Sequence, residues 1–174
     1  MASPTKRIYW DACVWLAFIL REKVRLQDGS AEDRDTMCRS VIQAAKKGTL
    51  EILTSTFCLA EVCKVPADKK GTSDKLADYF ENDYILLTNV DRVVAERARD
   101  LMVSHTGLKP PDAIHLATAA VSPGIVEMHT FDDRLLRLNG LIDKADGTKL
   151  KICKPDAGAA PAPLLEAMHG KKPD

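Results

Sequence analysis

The chain has 174 residues, 45% of them hydrophobic, with 25 Lys+Arg against 25 Asp+Glu, which is the make-up of one globular domain with a core of its own. Balanced charge gives no bulk attraction for nucleic acid, although a local basic rim would suffice for one. Cys13, Cys38, Cys58, Cys63 and Cys153 are scattered without a C-x-x-C pair, which excludes a disulfide framework and disfavours zinc. The apolar run over 12–20 is too short for a bilayer and lacks the flanks of a signal peptide, so a cytoplasmic protein with no membrane partner is expected.

Ile8-Tyr9-Trp10 is β-branched and aromatic, and predicts a short central strand that ends at Asp11. Val14, Trp15, Phe18 and Ile19 fall at helical spacing, predicting a helix over 12–23. The polar stretch 26–35 reads as a loop, with Ser30-x-x-Asp33 resembling a capping box for a second helix. Met37, Val41, Ile42 and Ala45 form that helix's apolar stripe, and Lys46-Lys47-Gly48 closes it. Leu50-Glu51-Ile52-Leu53 is the second strand. Thr54-Ser55-Thr56 then reads as an N-cap for a short helix over 57–65 that carries Glu61, with Pro66 as its stop.

A loop over 69–73 and a helix over 73–81 lead into a third strand, Tyr84-Ile85-Leu86-Leu87. Asp91 caps a long amphipathic helix with Val94, Ala98, Leu101 and Met102 inward. Pro110-Pro111 opens the next helix, since proline fits a first turn where its missing N–H is not needed. Ala113, Ile114, Leu116, Ala117, Ala119 and Ala120 make that helix apolar nearly all round, which marks it as buried. The fourth strand runs over 125–130 and a short helix over 133–138. An edge strand is expected at Leu150-Lys151-Ile152-Cys153. Residues 1–154 read as the domain, and 155–174, rich in Ala, Pro and Gly, as a disordered tail with a brief helix over 164–168.

Strands alternating with helices give an α/β class: a four- to five-stranded, mostly parallel sheet with helices on both faces, a three-layer sandwich. In such a sheet ligands bind beyond the carboxyl ends of the strands. Asp11 and Asp132 come after strands one and four, Glu61 comes after strand two, and Asp112 sits in the first turn of the buried helix. Alone, each acid reads as a cap or turn residue. Together at one edge they repel, and a hard divalent cation relieves that repulsion.

The set resembles the PIN-domain ribonucleases. The resemblance is carried by Ile8-Tyr9-Trp10-Asp11-Ala12-Cys13-Val14, by Ser55 with Leu59-Ala60-Glu61-Val62, by Pro111-Asp112-Ala113-Ile114-His115-Leu116-Ala117, and by Thr130-Phe131-Asp132. It covers roughly residues 6–153 and looks most like the VapC-type toxins of toxin–antitoxin pairs. It implies that Asp11, Glu61, Asp112 and Asp132 hold one or two Mg²⁺ or Mn²⁺ ions, with Asp133 as an auxiliary acid. It also implies supporting polar roles for Thr130, Ser55 and Cys13. Cys13 departs from the Ser or Asn usual there, which puts its hydrogen bond in doubt. A metal-activated water would then hydrolyse RNA. An RNA substrate, a cognate antitoxin and a homodimer are the implied partners.

Arg21, Lys23, Lys64, Lys109 and Arg134 are the candidate RNA contacts, each against the plainer reading of solvated charge. His115 lies on the Asp112 face of its helix and reads first as a packed histidine. Two other classes compete. One is a non-catalytic module whose acidic pocket captures a basic peptide. The other is a receiver-like phosphotransfer domain, which fits less well because Thr88-Asn89-Val90 stands where its phosphoacceptor Asp would be.

Overall fold

A computed structural model describes residues 5–62 and 79–158 of the chain. Residues 73–78 of the expected helix over 73–81, the Pro66 stop, the 69–73 loop, Cys63, Lys64 and nearly all of the 155–174 tail lie outside those residues, while Tyr79 and Phe80, near that helix's end, are helical.

The central strand β1 (Lys6–Trp10) is built from side chains that avoid water on both faces, and Ile8, Tyr9 and Trp10 have no exposed surface. Such a strand must be covered from above and below. Its neighbours are β4 (Leu50–Ser55) on one side and β6 (Ile125–His129) on the other. With β5 (Ile85–Thr88) beyond β4, and β7 (Lys151–Cys153) beyond β6, the sheet order is β5-β4-β1-β6-β7. Every pairing in it is parallel. The expected sheet is therefore present with five strands.

Alternation along β1 divides the core. Ile8 and Trp10 pack with α1 (Ala12–Ile19) and α2 (Arg34–Lys46) through Val14, Trp15, Phe18, Val41 and Ile42. Tyr9 points the other way, to α4 (Arg92–Ser104) and α5 (Pro110–Val121), where Val94, Ala98, Leu101, Ala113, Leu116 and Ala120 are buried. Two short helices start at strand ends: α3 (Phe57–Val62) after β4, and α6 (Asp133–Leu136) after β6. Among the described residues, no helix is long and apolar enough to cross a membrane.

Several local expectations are corrected. The first helix stops at Ile19, not Lys23, because Arg21 turns the chain with a positive φ of 52°. An antiparallel hairpin, β2 (Lys23–Arg25) with β3 (Ala31–Asp33), then stands where a loop was expected. The cap of α2 is Asp33, whose carboxylate accepts from the Thr36 N–H, while Ser30 bonds to Asp28. Thr54 and Ser55 are the last residues of β4 and not a cap. The hairpin is tied down by charge: Lys23 pairs with Asp33, and Arg34 with Glu22 and Glu32. The Arg34 guanidinium also lies 4.6 Å over the Phe131 ring, and Lys154 pairs with Glu32.

Candidate active site

Strand order reverses at β1: the chain builds outward through β4 and β5, then returns to its other side as β6 and β7. Beyond such a reversal the loops part and leave a crevice. A cleft of about 300 Å³ lies there, lined by Asp11, Cys13, Glu61, Asp112, His115 and Asp132 among others. The four acids come from four segments. Asp11 is the N-cap of α1, its Oδ1 accepting from the Val14 N–H at 3.1 Å. Asp132 caps α6, Asp112 sits in the first turn of α5, and Glu61 lies on α3.

Burial sets their electrostatics. Asp11 is 3% exposed. Desolvation pushes its carboxyl above the ordinary range, against the opposing pull of His115 and hydrogen bonds from Cys13, Thr130 and the Val14 N–H. Burial also raises Asp112; Arg134 opposes this and the neighbouring Asp132 carboxylate adds to it. Asp132 is lowered, because Arg134 donates to it. The Arg134 guanidinium reaches Asp132 Oδ2 at 2.7 Å and Asp112 Oδ2 at 3.5 Å. Arg134, read from sequence as an RNA contact, is thus the counter-ion of two of the acids.

The polar residues around the acids are connected. The Cys13 thiol donates to Asp11 Oδ1 at 2.9 Å and lies 3.4 Å from Thr130 Oγ1, while the Phe131 N–H donates to Cys13 Sγ. The cysteine therefore makes the hydrogen bond that its departure from Ser or Asn put in doubt. Burial and Asp11 hold the thiol well above its usual range, which disfavours a nucleophilic thiolate. Thr130 Oγ1 accepts from the Asp132 N–H at 3.0 Å and so fixes the start of the acid's turn. Asp133 is exposed on α6.

His115 is also 3% exposed, with Nε2 2.6 Å from Glu61 Oε2 and Nδ1 2.7 Å from the Tyr9 hydroxyl. A carboxylate only accepts, so Nε2 carries a proton and, in the neutral ring, Nδ1 accepts from Tyr9. Glu61 is held by a buried rod that runs back into the sheet. Tyr9 escaped the sequence reading because an aromatic in a strand looks like core, which it also is. Ser55 is fully buried at the end of β4, beside the Tyr9 hydroxyl.

Of the other expected cations, Arg21 and Lys23 do not line the cleft. The eight residues of α1 carry the chain roughly 12 Å away from Asp11 first. Lys23 is engaged with Asp33. Lys109 is exposed just ahead of α5 and does not line the cleft either.

A second group, Glu127, His129 and Cys153, brings its donor atoms within 4.8 Å of one another. Its hydrogen bonds argue against a metal there. The Trp10 indole N–H, which can only donate, reaches His129 Nδ1 at 3.1 Å. His129 Nε2 therefore keeps its proton and donates it to Glu127 Oε1 at 3.0 Å. Lys6 donates to the same oxygen and Lys151 to Glu127 Oε2. Burial alone would raise the Glu127 carboxyl, but His129, Lys151 and Lys6 hold it well below the usual range. This is a satisfied ion-pair network.

The PIN domain family profile matches residues 8–141, which is most of the chain and includes all four acids of the cleft. The chain belongs to the PIN domain family. PIN membership supports a nuclease in general terms, and PIN nucleases generally use divalent metals. No curated protein matches the chain by sequence. The solved structures that share its fold include two from toxin systems. One is the Mycobacterium tuberculosis toxin VapC20, described as cleaving the Sarcin-Ricin loop. It has a TM-score of 0.53 and 17% identity, over 72% of this chain and 89% of that one. The other is a toxin–antitoxin complex from Klebsiella pneumoniae, with a TM-score of 0.50 and 22% identity, over 72% of this chain and 86% of that one.

The donor set suits a hard divalent cation. Four oxygen donors line the cleft, and two of them are held above their ordinary range. A bound cation would draw both back down.

Proposed function

We propose that this PIN domain is a Mg²⁺- or Mn²⁺-dependent endoribonuclease, the toxin of a toxin–antitoxin pair. The observation that carries the reading is the convergence of Asp11, Glu61, Asp112 and Asp132 on one cleft at the end of β1. Those four would hold the cation. Bound there, it would supply an acidified water and offset the charge that builds on the phosphate and the leaving oxygen. The chain's own residues would prepare the geometry. His115 and Tyr9 fix Glu61, Thr130 and Cys13 hold the turn of Asp132 and the carboxylate of Asp11, and the packed start of α5 presents Asp112. Arg134 would exchange Asp112 and Asp132 for the substrate's phosphate as the cation enters. Its guanidinium is suited to that exchange, because carboxylate and phosphate both accept its forked N–H donors.

RNA, with its backbone unstacked in single strands or loops, suits a recessed cleft of this size. A cognate antitoxin is supported by likeness in fold to a chain from a toxin–antitoxin complex. A homodimer in the cytoplasm completes the reading, and light scattering decides the dimer. A second reading, an acidic pocket that captures a basic peptide, is favoured by one observation: a guanidinium already fits between Asp112 and Asp132.

One titration separates them. Saturating Mn²⁺ should raise the unfolding midpoint of the wild type and not of Asp112→Asn, and only the wild type should cleave single-stranded RNA. An unchanged midpoint together with no cleavage would leave the peptide pocket as the better reading.

A further inference from the structure

Beside the acidic cleft lies a second hollow, of about 320 Å³. The two share a wall at Asp112, which lines both, while Arg134 lines the second and pairs with Asp112 and Asp132. Across from that wall the second hollow is lined by Arg137, His105, Leu108 and Leu138. Its character is opposite to that of the cleft. Arg134 is neutralised by two aspartates, but Arg137 is exposed on the turn that ends α6, and its side chain has no ion pair among the described residues. An unpaired guanidinium and an imidazole therefore stand over two leucine side chains, next door to four carboxylates.

We infer that this hollow is the subsite for the backbone phosphate next to the scissile one, with Arg137 as its principal ligand. A single-stranded polynucleotide has the matching pattern. One phosphate has to reach the acids through a cation, so the next needs a cation supplied by the protein. Leu108 and Leu138 offer an apolar surface for the ribose or base between them. An acidic peptide fits the pattern less well, because its carboxylates would meet Asp112 at the shared wall without a cation between them. The volume is also at the small end of ligand pockets, fit for one nucleotide unit and not a folded element. The inference rests on the nuclease reading for the cutting of the neighbouring phosphate, and on the hollow itself for the binding.

The test uses the full chain carrying Asp11→Asn and a fluorescein-labelled single-stranded RNA, tracked by anisotropy across a potassium chloride series. Arg137→Ala should weaken binding by about fivefold and reduce the slope of log affinity against log salt by about 0.7, the loss of one phosphate contact on a single strand. Arg137→Lys should keep the slope. Lys47→Ala, an exposed cation at the opposite end of the sheet, should change neither quantity. Without Asp11→Asn, Arg137→Ala should raise KM and leave kcat near its original value.

RNA affinity and slope unchanged by Arg137→Ala, or no RNA binding at all, would overturn the subsite. So would a labelled polyglutamate that depends on Arg137 where RNA does not. The two proposals fail separately. Wild type that cannot cleave, with an Arg137-dependent RNA affinity, sinks the nuclease and keeps the subsite. Wild type that cleaves, with kcat/KM untouched by Arg137→Ala, does the reverse.

Discussion

Asp11 holds two jobs that substitution can separate. It caps α1 through the Val14 N–H, and it stands buried in the acidic cleft. Asparagine caps a helix as well as aspartate, whereas alanine loses about 1 kcal/mol at such a position. For a chain of this length, that loss lowers the unfolding midpoint by roughly 2–4 °C. The charge acts in the opposite direction. Burial raises the Asp11 carboxyl in the fold. Its contribution to stability is thus most favourable below the ordinary aspartate range and is lost as pH rises through the folded value. At neutral pH in EDTA, Asp11→Asn should therefore melt at or above the wild-type midpoint, and Asp11→Ala a few degrees below Asp11→Asn. Both should lose RNA cleavage. Scanning calorimetry with a cleavage assay on the same preparations measures both quantities. If the asparagine variant melts as low as the alanine one, or keeps its activity, the division of roles is mistaken.

The hydrogen bonds lead to two further outcomes. Tyr9→Phe removes the partner of the buried His115 Nδ1; an unsatisfied group of that kind costs about 1–3 kcal/mol, and chemical denaturation should read it. The same variant should weaken Mn²⁺ binding by calorimetry, since Glu61 loses its anchored support. Glu127→Gln strips a buried carboxylate from His129, Lys6 and Lys151, a loss on the order of 3 kcal/mol at pH 7. Because the Glu127 carboxyl is held low in the fold, its stabilisation is complete above about pH 4.3 and disappears as pH falls towards the folded value. The gap between wild type and Glu127→Gln in urea should therefore narrow in acid; a gap of constant width would count against the network.

Parallel strands and buried helices were legible because their signals are local and redundant. Ile8-Tyr9-Trp10 has only one comfortable place, and Pro110-Pro111 announces the start of α5. The topology then carried Asp11, Glu61, Asp112 and Asp132 to one edge without any contact being known. The hairpin was hidden for the opposite reason. Lys23–Arg25 and Ala31–Asp33 are three residues each, with little apolar alternation. They are held by ion pairs and by Arg34 over Phe131, a residue nearly a hundred positions away. The partners of Arg134 and of His115 were likewise unreadable, because they depend on how side chains from separate helices and strands meet in space. Arg137 gave no signal at all: only the hollow beside it sets it apart from other surface arginines.

The pairing of β1 with β6 joins the first strand to one that begins some 120 positions later, as the bond between Trp10 and His129 records. A ribosome making this chain will have released Asp11, Glu61 and Asp112 well before Asp132 leaves the exit tunnel. On the nuclease reading, the growing polypeptide carries three quarters of a blade and no cutting edge. The host's RNA would be safe from each copy until synthesis of the domain is almost finished, which is also when a partner protein would first have a complete surface to seize.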